Sequence, residues 1–276
     1  MMHQGAFDRA RGWGRAPPVL VILAIALASS GCKKDDGPMS DDPAELAADG
    51  SSTHAAESDT EALTASLIGV DARPNAPAGA LDLTVEGKYL PKGCFTATHV
   101  AATNEIRYEL VKCYGRFGLR EVSGVIVARR EQVRGNLIVN LTGNDLEVNK
   151  AKVDWAARAE ISGSGAAREM RWEASMSGSS TSGKAFSRRT VKTVKWSLLE
   201  PCFSVDGSST GEVGKRKVKI EIIGFKRCAL ACPEPGSTIR VTNETTGSFV
   251  TLAYDEQGAT LTTPNRNTRF TPLCRG

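Results

Sequence analysis

The sequence predicts an all-β protein built on antiparallel strands, and three observations favour this fold class. Aromatic residues make up only 6% of the 276 residues while Gly, Ser and Thr are plentiful, which is typical of a domain with many turns. Beyond residue 80, apolar and polar residues alternate with a period of two. No stretch of twelve residues there shows helical periodicity, which argues against a parallel βαβ architecture.

The clearest hairpin signal is a pair of alternating runs joined by Ser162-Gly163-Ser164-Gly165. Other turn-forming clusters, among them residues 142–145 and 206–214, predict further strand boundaries. We expect about ten strands in an antiparallel meander, and an open sheet, a partly closed barrel or a sandwich would each satisfy the pattern. The hairpin predicts an apolar face that carries four large side chains: Trp155, Met170, Trp172 and Met176.

The N-terminus carries the features of an export signal. Three arginines precede an apolar stretch from Val19 to Ala28, and small residues then lead to Cys32. This arrangement resembles the lipobox of bacterial lipoprotein precursors, except that Ser29 stands where that family prefers Leu. The resemblance implies that residues 1–31 are a signal peptide cut off by signal peptidase II. It also implies that Cys32 is then acylated, with palmitate among the chains of such an anchor.

Cysteine parity supports this interpretation of Cys32. The chain has seven cysteines, and the six that follow Cys32 can pair completely in an oxidising compartment. In lipoproteins of this type, the residue after the acylated cysteine directs sorting, and Lys33 at that position implies a lipid-anchored protein of the outer membrane, facing the periplasm or the cell surface. The alternative is an ordinary signal-peptidase site at Ala26-Leu27-Ala28, which would release a soluble secreted or periplasmic protein.

The composition divides the rest of the chain into two parts. Residues 32–80 contain ten acidic and only three basic residues and few large apolar ones, which predicts an acidic disordered tether behind the lipidated Cys32. Residues 81–276 form the predicted antiparallel β domain. They are basic overall, because the whole chain has a net charge of +4 although residues 32–80 are acidic.

The spacing of the body cysteines favours disulfides that staple hairpins. Cys94 and Cys113 flank one predicted turn and Cys202 and Cys228 flank another, at distances that suit opposed positions on paired strands. These pairings leave Cys232 to bond with Cys274, as one of fifteen possible arrangements. A metal site is not expected, because the β domain contains a single histidine, His99, and zinc would need more ligands.

Motifs for catalysis and cofactor binding are absent from the sequence. It has no Gly-x-Ser-x-Gly elbow, no phosphate-binding loop and no dinucleotide fingerprint, so no cofactor is expected. His99 is the one candidate general base, and a lone histidine in a strand is more often structural. Export and the lack of a basic helix argue against nucleic-acid binding.

Three functions fit these observations, in this order. The first is a non-enzymatic envelope lipoprotein with a structural or binding β domain, whose partner is another envelope protein, lipopolysaccharide or polysaccharide. The second is a carrier or chaperone for an apolar or acyl ligand at the outer membrane, suggested by the tryptophan and methionine face. The third is a hydrolase, which would need acidic residues or His99 to converge in a cleft.

Overall fold

The computed structural model describes residues 43–68 and 89–272, except 101, 104, 116–118, 120, 201, 229 and 230. In this part of the chain, one helix is followed by 13 strands in a single antiparallel sheet whose spatial order is the sequence order. The predicted meander is therefore confirmed, and the sheet is open, since its first and last strands do not pair. The elements are α1 (Pro43–Ile68), β1 (Phe95–Val100), β2 (Glu105–Cys113), β3 (Val122–Val133), β4 (Asn136–Val148), β5 (Ala151–Ser162), β6 (Ala167–Ser179), β7 (Ala185–Ser197), β8 (Cys202–Val213), β9 (Arg216–Cys228), β10 (Thr238–Asn243), β11 (Phe249–Asp255), β12 (Gly258–Thr263) and β13 (Arg266–Phe270).

Thirteen strands exceed the ten or so that the sequence predicts. The last four are only five to seven residues long, too short for the alternation to separate them clearly. Two clusters predicted as turns lie inside long strands instead, residues 142–145 in β4 and residues 206–213 in β8. At both places the pairing register shifts, so these Gly-, Asn- and Asp-containing segments form β-bulges that bend the sheet.

Period-two alternation produces one buried and one solvated face. In β5, every second residue from Ala151 to Ile161 is buried, and in β6 the same face carries Trp172 and Met176. Trp155 and Trp172 pack with ring centroids 6.2 Å apart, and Met170 packs against them from a half-buried position. The predicted apolar face therefore belongs to the hydrophobic core. The opposite face carries exposed ion pairs such as Arg171–Glu173.

Two of the three predicted disulfides are present in the described residues. Cys94 bonds Cys113, joining the residue just before β1 to the end of β2, and Cys202 bonds Cys228 across directly paired positions of β8 and β9. Cys232 is also disulfide-bonded, while Cys274, its predicted partner, lies outside the described residues.

The largest departure from the sequence prediction is α1, which occupies 26 residues of the predicted disordered tether. Pro43 opens the helix at the position where its missing N–H costs least. Among the side chains described in α1, only Ala44 and Ala48 are exposed. Ser, Thr, Asp and Gly are frequent in α1 and have low helix propensity, so packing against the sheet stabilises it. The expectation of unfolded chain is therefore wrong for residues 43–68.

The sheet curls around α1. Arg130 in β3 donates a hydrogen bond to the Leu67 carbonyl at one end of the helix, while Gly50 near the other end packs on Val241 in β10. The Arg130 cation also complements the partial negative charge of the helix C-terminus.

Sheet residues also meet opposite sides of the helix. Glu57 bonds to Lys192 in β7, while Asp59, ~200° further round the helix, accepts a hydrogen bond from Asn149 just after β4. A flat sheet could contact only one of these sides, so the sheet bends around α1.

We predict that Trp172→Ala lowers the free energy of unfolding by ~3–5 kcal/mol, because it removes a fully buried side chain and leaves a cavity. Chemical denaturation followed by circular dichroism measures the loss. Trp196→Ala is the matched control, since Trp196 only partly buries its ring against the same core, and it should cost clearly less. Equal stability of Trp172→Ala and wild type would contradict the placement of this ring.

Candidate functional site

The candidate site is the interface between α1 and the inner face of the sheet, here called the α1 groove. The helix contributes a stripe of residues spaced four apart: Glu45, Asp49, Thr53, Glu57 and Glu61. Residues four apart lie on the same side of a helix, so the stripe follows one face and winds slowly along it. All four of its acidic residues bond to basic residues of the sheet.

The basic side of the groove comes mainly from β7. Arg188 and Lys192 are four residues apart on this strand and therefore point to the same, inner face. Their directly paired positions on β8 are Gly211 and Gly207. A Cβ atom at Gly207 would clash with the Val191 carbonyl oxygen and lie 2.7 Å from the Lys192 Cα, so glycine allows β8 to pair closely with this part of β7.

Glu57 occupies the centre of the groove and is completely buried. Its Oε1 lies 2.6 Å from the Lys192 Nζ and accepts a hydrogen bond from the Thr190 hydroxyl at 2.9 Å. Its Oε2 lies 3.4 Å from the Arg188 Nε and accepts a hydrogen bond from the Ser209 hydroxyl at 3.2 Å. One carboxylate thus has partners on both of its oxygens, as a buried charge requires.

Two further contacts complete this central cluster. Lys192 also contacts Glu61, with 2.5 Å between its Nζ and the Oε1, so the two carboxylates share one ammonium group. Arg188 donates a second hydrogen bond to the Thr53 hydroxyl at 2.6 Å. Thr53 in turn donates to the Asp49 carbonyl one helical turn earlier, which ties the guanidinium to the backbone of α1.

The protonation states follow from this arrangement. Burial alone would raise the pKa of Glu57, but Lys192 and Arg188 hold that pKa well below its usual range, so Glu57 is ionised. Burial raises the pKa of Glu61 to about 7, and the neighbouring Glu57 adds to the rise while Lys192 opposes it. Burial also lowers the pKa of His54, whose Nδ1 lies 3.8 Å from the Glu57 Oε2, so this ring is neutral.

A second group of charges, here called the outer cluster, binds the first turns of α1. Arg216, the first residue of β9, pairs with Asp49 and also contacts Glu45 at 3.1 Å. Lys184, in the turn before β7, reaches the other oxygen of Asp49 at 2.6 Å. Four helix carboxylates thus meet four sheet cations, and the groove is balanced in charge when all eight are ionised.

Sequence reasoning missed most of this site. Arg188, Arg189, Lys192 and Lys195 form a basic run whose positions fall on both faces of a strand, and Arg189 and Lys195 are exposed on the outer face. The acidic partners were missed because they lie in the predicted tether. The spacing of four from Glu45 to Glu61 is the signal that a helix was present there.

The other sequence candidates lie away from the groove or outside the described residues. Cys32 precedes the first described residue. His99 is exposed on the edge strand β1 and is not part of either cluster. Within the described residues, no three His, Cys, Asp or Glu side chains converge in a way that could hold a metal ion.

An outer groove of about 620 Å³ touches Trp155 and Met176, the residues that suggested an apolar ligand. Most of its lining is polar and belongs to the solvated face, including Asp154, Ser175 and Arg189. Because this groove is open to solvent and polar side chains lie beside Trp155 and Met176, it does not enclose an acyl chain away from water.

Comparisons with family models, with curated proteins and with solved structures found no match to this chain. In the part of the chain that the structure describes, no helix combines the length and the apolar character needed to cross a membrane.

We predict that Glu57→Gln destabilises the protein by ~3–5 kcal/mol, because it leaves buried Arg188 and Lys192 without their main counter-charge. Urea denaturation at pH 8 measures the change. Glu173→Gln is the matched control, since its pair with Arg171 is solvent-exposed, and it should change stability by less than about 1 kcal/mol. Similar losses in both variants would show that the central cluster does not hold α1.

We predict that the contribution of Glu61 to the free energy of unfolding decreases as the pH rises. Its pKa of about 7 in the folded protein exceeds the ordinary 4.5, so the folded state binds this proton more tightly than the unfolded state. Its contribution to stability is therefore full below pH 4.5 and is lost as the pH rises through 7. The difference in unfolding free energy between wild type and Glu61→Gln should shift in favour of the variant over this range. A shift in favour of wild type would mean that Lys192 favours the ionised form of Glu61 more strongly than burial disfavours it.

Proposed function

We propose that this protein is a lipid-anchored lipoprotein of the outer membrane whose β domain has a non-enzymatic, structural or binding role. The observation that supports the proposal best is α1. The segment that joins the lipobox to the sheet is itself held inside the sheet by buried ion pairs. Such an arrangement suits a module that must stay at a defined distance from an anchor while it presents a rigid surface.

The length of the connecting chain makes this distance short. Ten residues (33–42) lie between Cys32 and Pro43, and the eleven residue-to-residue steps span at most ~36–40 Å when fully extended. An acyl anchor at Cys32 would thus keep the docked sheet close to the bilayer. Without α1 in its groove, the connection would run from Cys32 to Phe95 and would hold the sheet much more loosely.

A binding role fits the two faces of the sheet. The inner face binds an acidic, polar helix, and the outer face exposes charged side chains of both signs. We expect the partner to be another envelope protein, with lipopolysaccharide or an acidic polysaccharide as further ligands for the basic domain. A carrier role for acyl chains has less support, because Trp155, Trp172 and Met176 fill the core and the adjacent outer groove is polar.

We predict that the protein incorporates a radiolabelled or alkyne-bearing fatty acid in its native host or in another bacterium with signal peptidase II. Cys32→Ala should abolish the label and block removal of residues 1–31, because signal peptidase II cuts before the cysteine that is acylated. Glu45→Ala, at the start of α1, is a matched control that should keep both the label and the cleavage. Labelling of Cys32→Ala would contradict the lipobox assignment.

A further inference from the structure

We propose that the α1 groove also accepts an acidic helix of a partner protein, which takes the place of α1. This inference deepens the proposed binding role by naming the site and the chemistry of the partner. The groove recognises a helix with carboxylates at spacings of 4, 12 and 16 residues, because these are the positions of Asp49, Glu57 and Glu61 relative to Glu45.

The contacts in the groove suit an exchangeable occupant. At the centre of the helix they are mainly ion pairs and hydrogen bonds to side chains, with Thr53, His54, Glu57 and Thr60 buried there. Apolar anchors sit mainly toward the ends, at Leu46, Leu63 and Leu67. A partner helix therefore needs leucine-like residues at the corresponding positions as well as the acidic stripe.

The connectivity allows α1 to leave without unravelling the sheet. The helix lies outside the strand order, and twenty residues (69–88) separate it from Tyr89. That length of chain can span up to ~66–72 Å. Removal of α1 therefore breaks helix–sheet contacts but none of the hydrogen bonds that pair the strands.

Charge determines which occupant can replace α1. Without it, the buried Arg188 and Lys192 would lose the helix carboxylates that they bond, which disfavours an empty groove and any neutral or basic replacement. An acidic helix supplies carboxylates to these cations and so restores the charge balance of the groove. If Cys32 carries the lipid anchor, displacement of α1 by the partner would lengthen the chain that joins the membrane to the sheet. Binding of the partner is then coupled to the distance between the sheet and the membrane.

The contact between Gly50 and Val241 provides a direct test. A Cβ atom at Gly50 would lie 3.7 Å from the Val241 Cβ, which is the usual Cβ–Cβ distance in a disulfide. The full chain carrying Cys32→Ala and Val241→Cys is mixed under mild oxidation with a synthetic peptide of residues 43–68 that carries Gly50→Cys. A disulfide adduct, detected by mass spectrometry, forms only when the peptide occupies the groove in register.

The control peptide carries the same cysteine with Asp49→Asn, Glu57→Gln and Glu61→Gln. We expect the acidic peptide to give about tenfold more adduct than this amide peptide, and high salt to reduce the difference. Equal adduct from the two peptides would show that acidic residues do not govern occupancy. Absence of adduct from both would show that α1 does not exchange. Either result overturns the proposal.

A second chain shows whether the Val241→Cys protein folds with α1 in place. In the full chain with Cys32→Ala, Gly50→Cys and Val241→Cys, an internal disulfide should form and should block adduct formation with the acidic peptide. Failure of this internal disulfide would contradict the docked helix and with it the proposed exchange. None of these outcomes depends on lipidation, so a failure of fatty-acid labelling and a failure of exchange are distinguishable.

Discussion

The burial of the Glu57 carboxylate between Arg188 and Lys192 is the interaction on which the rest of the arrangement depends. A single ionised carboxylate in an apolar interior would be prohibitively unstable, and it is stable here because two cations and two hydroxyls surround it. These partners come from β7 and β8 while Glu57 comes from α1. The charge can be accommodated only when helix and sheet are together, which couples the order of the helix to the shape of the sheet.

The sheet depends on the helix for a geometric reason. A sheet of thirteen strands that curls on itself encloses more space than its inward side chains can fill. Near the groove the inner face carries polar residues such as Thr190 and Ser209, whose hydroxyls bond to Glu57. α1 occupies the space over this face, and its Leu63 and Leu67 extend the hydrophobic core that includes Trp155 and Trp172.

The sequence predicted the sheet well and the groove poorly, and the difference has a physical origin. Alternation in β5 and β6 is local information, since each strand shows its buried face in its own residues, and Cys202 and Cys228 lie opposite each other because a hairpin imposes that register. The helix lacks such local information. Its composition is that of a disordered segment, and the residues that bond to its acidic stripe lie more than 120 positions away on β7 and β9.

The prediction of a turn at the Gly- and Ser-rich run of residues 206–213 was wrong for a related reason. The small residues of this run predict a turn, whereas in β8 Gly207 and Gly211 allow close pairing with the backbone of β7.

The stripe of α1 also explains how a helix with so few large side chains finds a single register. If every fourth residue of α1 were acidic, the helix could slip by one turn and still place carboxylates against the cations of the sheet. The actual stripe is not uniform, because Thr53 stands between Asp49 and Glu57. A slip of one turn in one direction would place Thr53 in the central position of Glu57, so Arg188 and Lys192 would lose the carboxylate that they share there. A slip in the other direction would place a second carboxylate where Arg188 now meets a hydroxyl, and would bring Ala65 to the position of Glu61. Buried ion pairs add little net stability compared with apolar contacts, but a misaligned one is strongly unfavourable. The central cluster therefore acts mainly by excluding shifted alignments of α1 along the groove. In the same way, it determines which other helices the groove can hold.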